Sequence, residues 1–281
     1  MTLIRIYKKY CDKWWALPLF LPPLLLPLLR HADTFAYIEG GTVILYYLPL
    51  ALMMSMMLFY GWKALPGMIL ALWLHFHGRI PDVEVIIAIA HFIIPVIFCW
   101  GGYRLSVPRR YKVSYGHEQL MYRRLFWQVF CLSTLFMVLL EIALSLGIYR
   151  NFRDLAGSNP FNVRTLISYQ AMLVGGLTGI PLCYTLIRVI RNPLYSRSFV
   201  SQLRAQFDPN IKRQEVIVWS CLLVGLVAML LLPLNEHSTL FSTNYTLSLV
   251  LPVALWGSMR FGHRFMSLLW TPVLIVTINF H

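Results

Sequence analysis

Few residues in this 281-residue chain have both the chemical character and the setting for chemistry. Glu141 is the only acidic residue well inside a long apolar run. A carboxylate in hydrocarbon is costly enough to mark a functional position by default. Two roles stay open for it: a ligand or proton site, or structural pairing with headgroups, a polar cavity or a partner such as His91. His75, His77 and His91 are the only clustered imidazoles, but an i, i+2 pair does not share a helix face, so no metal site is expected. His117-Glu118 begins an H-E-x-x-H pattern that fails at Met121 and falls in a basic loop. Gln170, as an amide turned into an internal cavity, and Asn244 with Tyr245, at an outer mouth, are the other candidate ligand contacts. Asn244-Tyr245-Thr246 also matches a glycosylation sequon, a common chance pattern.

No catalytic residue can be named. The phosphate loop G-x-x-x-x-G-K-[ST], the dinucleotide fingerprint G-x-G-x-x-G and the nucleophile elbow G-x-S-x-G are all missing. These loops need a strand-to-helix context for which the chain leaves no room. Five cysteines (Cys11, Cys99, Cys131, Cys183, Cys221) show no metal-ligand spacing, and their odd count excludes a closed disulfide framework. They read as reduced thiols.

The elements that would position these residues follow from composition. Apolar residues make up 58% of the chain and charged ones 12%, against roughly 25% charged in a soluble domain. Mean hydropathy is +0.65. Nine apolar runs recur near 15–29, 43–61, 64–77, 84–103, 125–148, 165–188, 216–234, 244–260 and 265–281. About 20 residues cross a bilayer core, so the first and third, being short, fit a re-entrant or interfacial path as well. None alternates as a barrel strand must. The expected fold is therefore all-α: a polytopic helical bundle of about eight to nine hydrophobic segments in one membrane-embedded domain, 1–281. Eleven prolines in or beside these runs predict bent helices. Gly175 and Gly179, at i and i+4, predict a close helix–helix approach.

The net charge of +13 reads as a topology signal, because the basic residues cluster in short loops and form no basic face beside aromatic platforms. No nucleic-acid partner is expected. Of the 24 Lys and Arg residues, only Arg30, Arg79, Arg150, Arg153 and Arg164 fall on the side opposite the N-terminus. That asymmetry predicts a cytoplasmic N-terminus. The last run has no basic anchor or polar tail, which predicts an N-terminal portion of something longer.

Several stretches resemble the first type of bacterial membrane-associated sensor domain (MASE): Asp12-Lys13-Trp14-Trp15-Ala16-Leu17-Pro18, Cys99-Trp100-Gly101-Gly102-Tyr103-Arg104, Tyr169-Gln170-Ala171, Gly179-Ile180-Pro181-Leu182-Cys183-Tyr184, Arg191-Asn192-Pro193 and Phe241-Ser242-Thr243-Asn244-Tyr245-Thr246. The resemblance covers nearly the whole chain. It implies an inner-membrane sensory input domain, such as precedes the GGDEF-like and EAL domains of cyclic-di-GMP phosphodiesterases, where the EAL domain uses Mg²⁺ or Mn²⁺. Neither Gly-Gly-Asp-Glu-Phe nor Glu-Ala-Leu occurs here, so no cofactor and no phosphodiesterase activity are expected of this chain by itself. The expected partners are membrane lipid, a small-molecule ligand and a second copy in a homodimer. A small-solute transporter is the competing function, motivated by proline-broken helices and Glu141; a membrane-embedded enzyme ranks third.

Overall fold

The computed structural model describes residues 13–31, 34–38, 41–107, 121–145, 163–191 and 213–231. The chain divides into two units, Met1–Arg191 and Asn192–His281. In the second unit the described element is one apolar helix, Arg213–Leu231. Asn244 and Tyr245 lie outside the described residues.

The first unit is a helical bundle with one short hairpin. Helix α1 (Leu17–His31) leads to strands β1 (Thr34–Ile38) and β2 (Gly41–Tyr46), paired antiparallel with Phe35 opposite Ile44 and Ile38 opposite Gly41. Helices α2 (Pro49–Tyr60) and α3 (Leu65–Phe76) follow, joined by a 3₁₀ turn, Gly61–Ala64. Helix α4 is Asp82–Ser106. Helix α5 is composite: Met121–Arg124, a π-helical stretch Leu125–Cys131, then Leu132–Ser145. Helix α6 is Val163–Arg191. The helical architecture agrees with the sequence, and the hairpin corrects it in detail. The run 43–61, expected as one helix, is a strand followed by a helix. A continuous apolar run carries no period to tell the two apart.

Among the described residues, four stretches are long and apolar enough to cross a bilayer: Pro49–Phe76, Asp82–Ser106, Tyr122–Ala143 and Thr165–Arg191. The first of them folds back on itself. Tyr47, just before α2, lies 6.4 Å from the Phe92 ring, and Phe76, at the end of α3, lies 5.9 Å from the same ring. Midway between, Trp62 meets Trp100 at 5.2 Å. A straight helix of that length would hold its ends about 40 Å apart. The reversal is made at Gly61, whose φ of +60° is a conformation that side chains disfavour.

Helix α2 is the centre of the bundle. Every residue from Pro49 to Met57 is buried, including four methionines whose unbranched thioethers fill irregular gaps. Helices α1, α4 and α6 surround it, and α1 packs along α3. The outer faces are apolar too: Phe20, Leu24 and Leu28 form an exposed stripe on α1, as do Ile94 and Phe98 on α4. Exposed stripes of this kind are expected of surfaces that meet lipid.

The α2–α6 contact rests on the glycines that the sequence singled out. A Cβ on Gly175 would overlap the Tyr47 carbonyl, and one on Gly179 would come within 2.6 Å of Leu48 and 2.8 Å of Ala51. Ser55 Oγ crosses the same seam, donating to the Ala51 carbonyl at 2.7 Å with the Ile180 carbonyl at 3.2 Å. Gly175→Ala is therefore expected to cost roughly 1–3 kcal/mol. Gly101→Ala, where a Cβ meets nothing within 4 Å, should gain up to about 1 kcal/mol from helix propensity. Thermal unfolding in detergent reads both signs, and equal shifts for the two variants would refute this packing.

Candidate functional site

Two layers of side chains on α4, α5 and α6 carry what chemistry the described residues offer. The deeper layer is aromatic and sits where the chain passes from β2 into α2. His91 Nε2 lies 2.9 Å from the Phe136 carbonyl, to which it donates, and the imidazole stacks on the Phe136 ring at 4.2 Å. Phe92 meets Phe136 edge-on at 5.0 Å, and Tyr47 lies 6.0 Å from Phe136. The imidazole thus ties α4 to a carbonyl of α5.

The second layer is polar and lies between α5 and α6. Thr134 and Tyr169 hydroxyls are 3.0 Å apart. Two turns further along α5, Glu141 lies beside Thr165 of α6, yet neither Glu141 Oε1 nor the Thr165 hydroxyl completes a well-formed hydrogen bond among the described residues. Ser168 shares the face of Thr165 at i+3; it is 3% exposed and its hydroxyl is likewise unpartnered among them. A buried polar atom without a partner typically costs about 1–3 kcal/mol. Three such atoms share this layer among the described residues.

Glu141 and His91, a pairing that the sequence left open among others, take separate neighbours: Thr165 for the carboxylate and the Phe136 carbonyl for the imidazole. Among the described residues Gln170 is exposed on α6, which goes against the internal-cavity contact offered for it as one candidate. Gly175 and Gly179 face the Tyr47–Ala51 segment, where an added Cβ would overlap its neighbours. His75 and His77 part company as well, His75 3.5 Å from Arg79 and His77 3.7 Å from Asp82. Among the described residues no three metal-ligating side chains gather, and Cys99, Cys131, Cys183 and Cys221 are free thiols. Thr165 and Ser168 escaped the sequence reading. Their i, i+3 spacing, one residue off the Tyr169 that reaches Thr134, was the available signal.

A protein-family model, MASE1, matches residues 15–280. Among curated proteins, cyclic di-GMP phosphodiesterase PdeF of Escherichia coli (strain K12) is 50% identical over 279 residues, covering 99% of this chain and 37% of that protein. The chain therefore spans little more than a third of the length of the curated relative it matches. No solved structure matches.

Removing a hydroxyl that has no partner among the described residues should stabilise the resting bundle. Ser168→Ala is expected to raise its stability by about 1 kcal/mol, read as a higher unfolding temperature in detergent. A lower temperature would show that Ser168 is already satisfied.

Proposed function

The chain belongs to the MASE1 family, and from that membership we propose that it is a membrane-embedded sensory input module controlling a cytoplasmic enzyme within a longer protein. What carries this is the match over residues 15–280 together with a relative, described as a cyclic di-GMP phosphodiesterase, of which only 37% is aligned. In this reading cyclic-di-GMP hydrolysis, with its Mg²⁺ or Mn²⁺, belongs to residues beyond these 281. A ligand shifts such a module only by binding its two conformations with different affinity. The polar layer of Glu141, Thr165 and Ser168 is the proposed receiving point for a small molecule. The α2–α6 seam, where the chain changes from strand to helix, is the element it biases. His91 braces the two helices beside it, and a homodimer would couple two such modules.

The finer topology belongs to the same proposal: eight or nine segments, an inner-membrane location and a cytoplasmic N-terminus. The fold-back at Gly61–Ala64 supports it. That turn sets Trp62 beside Trp100, while Arg104 lies over the Trp100 ring at 4.8 Å and Arg191 over Phe59 at 5.1 Å. Lys63 thereby joins the basic end of α4 and α6, as the positive-inside rule requires.

The functional experiment uses the full-length gene product in native membranes. Cyclic-di-GMP hydrolysis should differ several-fold between the intact protein and one lacking residues 1–281, and Glu141→Gln should abolish the regulated part while sparing the basal rate. Equal rates in all three would contradict the proposal. Solute uptake that falls on Glu141→Gln would instead favour a transporter, to which a helix broken within the membrane is also suited. Topology is tested separately. An impermeant maleimide added to intact cells should leave all five native cysteines unlabelled and label Arg79→Cys; the reverse pattern would invert the orientation.

A further inference from the structure

The end of α4 and the start of α5 form a second polar feature, remote from Glu141. The π-helical stretch Leu125–Cys131 inserts an extra residue into the turn and re-aims its side chains. Trp127 comes to lie against the backbone of α4 at Gly102, where a Cβ would overlap the indole ring. The indole N–H donates to Ser106 Oγ at 3.0 Å. Arg123 donates to the Ser106 carbonyl, one of the acceptors that a helix C-terminus leaves open. Arg124 Nε donates to the Tyr103 hydroxyl at 3.1 Å.

Ser106, Tyr122, Arg123, Phe126 and Trp127 line a shallow cleft of about 480 Å³. Next to it Phe126 and Phe130 stack at 6.1 Å, both exposed, and Phe98 lies 6.2 Å from Trp127. The cleft is thus basic at one margin and aromatic along the other. Between Phe98 and Cys131 the sequence sets Arg104, Arg109, Arg110, Lys112, Arg123 and Arg124 against the single acid Glu118. A planar guanidinium fork with one nitrogen on Ser106 keeps further donors suited to a phosphate. Trp and Tyr belong at the headgroup level.

We propose that this cleft is a headgroup site for an anionic glycerophospholipid, with the phosphate on Arg123 and an acyl chain along Phe126 and Phe130. The chemistry recognised is a phosphodiester anion in a headgroup of net negative charge, with no cation beside it to oppose the basic margin; the apolar wall commits the site to a lipid rather than a free ion. Basic pockets at the end of a helical bundle bind anionic headgroups in this way. The assignment needs only that this end of the bundle lies at a membrane surface, so it stands apart from the sensory reading.

The test is native mass spectrometry of the purified chain taken from nanodiscs holding phosphatidylglycerol and phosphatidylcholine in equal amounts. The wild type should retain phosphatidylglycerol preferentially, Arg123→Gln should lower that preference about fivefold, and Arg79→Gln at the opposite end should not. An unchanged preference in Arg123→Gln overturns the site, and so does displacement of the lipid by millimolar inorganic phosphate. Should Arg123→Gln not fold, fluorescence decides: brominated phosphatidylglycerol should quench the wild type more than brominated phosphatidylcholine, with the difference lost in Trp127→Phe. Equal quenching of the wild type by both lipids overturns the site as well.

Discussion

A backbone in hydrocarbon must satisfy its own hydrogen bonds, and this bundle meets that constraint while breaking one of its apolar stretches twice. Between Gly41 and Phe76 the chain is a strand, a 12-residue helix, a 3₁₀ turn and a second 12-residue helix. Each helical arm spans about 18 Å, well short of the roughly 30 Å hydrocarbon core. Such a path is tolerable only where protein covers the breaks. β1 pairs with β2, α6 lies along β2 and α2, and α1 lies along α3. The cover on α2 works because Gly175 lets α6 come down onto the Tyr47 backbone and Gly179 onto the Leu48 and Ala51 side chains.

That arrangement explains why the polar groups lie where they do. Once α2 fills the centre with methionine and leucine, α5 and α6 meet beside it and bury two hydroxyls and one oxygen of the half-buried Glu141 carboxylate. Among the described residues Glu141 Oε1 and the Thr165 and Ser168 hydroxyls are held there without a well-formed hydrogen bond. Natural proteins retain such costs where function requires them, at some expense in stability. His91 adds a fixed tie between α4 and α5, so the polar layer and the seam of α2 share a rigid wall.

Much of this was legible beforehand, and the exceptions have physical reasons. Runs 84–103, 125–148 and 165–188 became α4, α5 and α6 because long apolar stretches leave the backbone no other regular option. Glu141 stood out because a charge among apolar residues is conspicuous, and Gly175 with Gly179 because small residues at i, i+4 have one chief use. The strand in 43–61 was hidden, since a uniformly apolar stretch has no period to read. The exposure of Gln170 was hard to read for a related reason: α6 is apolar over much of its surface, so its sequence sets no clear rotation. Thr165 and Ser168 stayed invisible because hydroxyls in membrane helices usually bond their own backbone.

The fold-back of 49–76 around Phe92 sets the α6 seam, the placement of Lys63 and the polar layer beside them. Spin labels on Tyr47→Cys and His77→Cys, in a background lacking the native cysteines, measure it directly by pulsed dipolar spectroscopy. A straight helix would separate the labelled positions by about 40 Å; the account predicts a single distance less than half of that. A distribution centred near the longer value would contradict it.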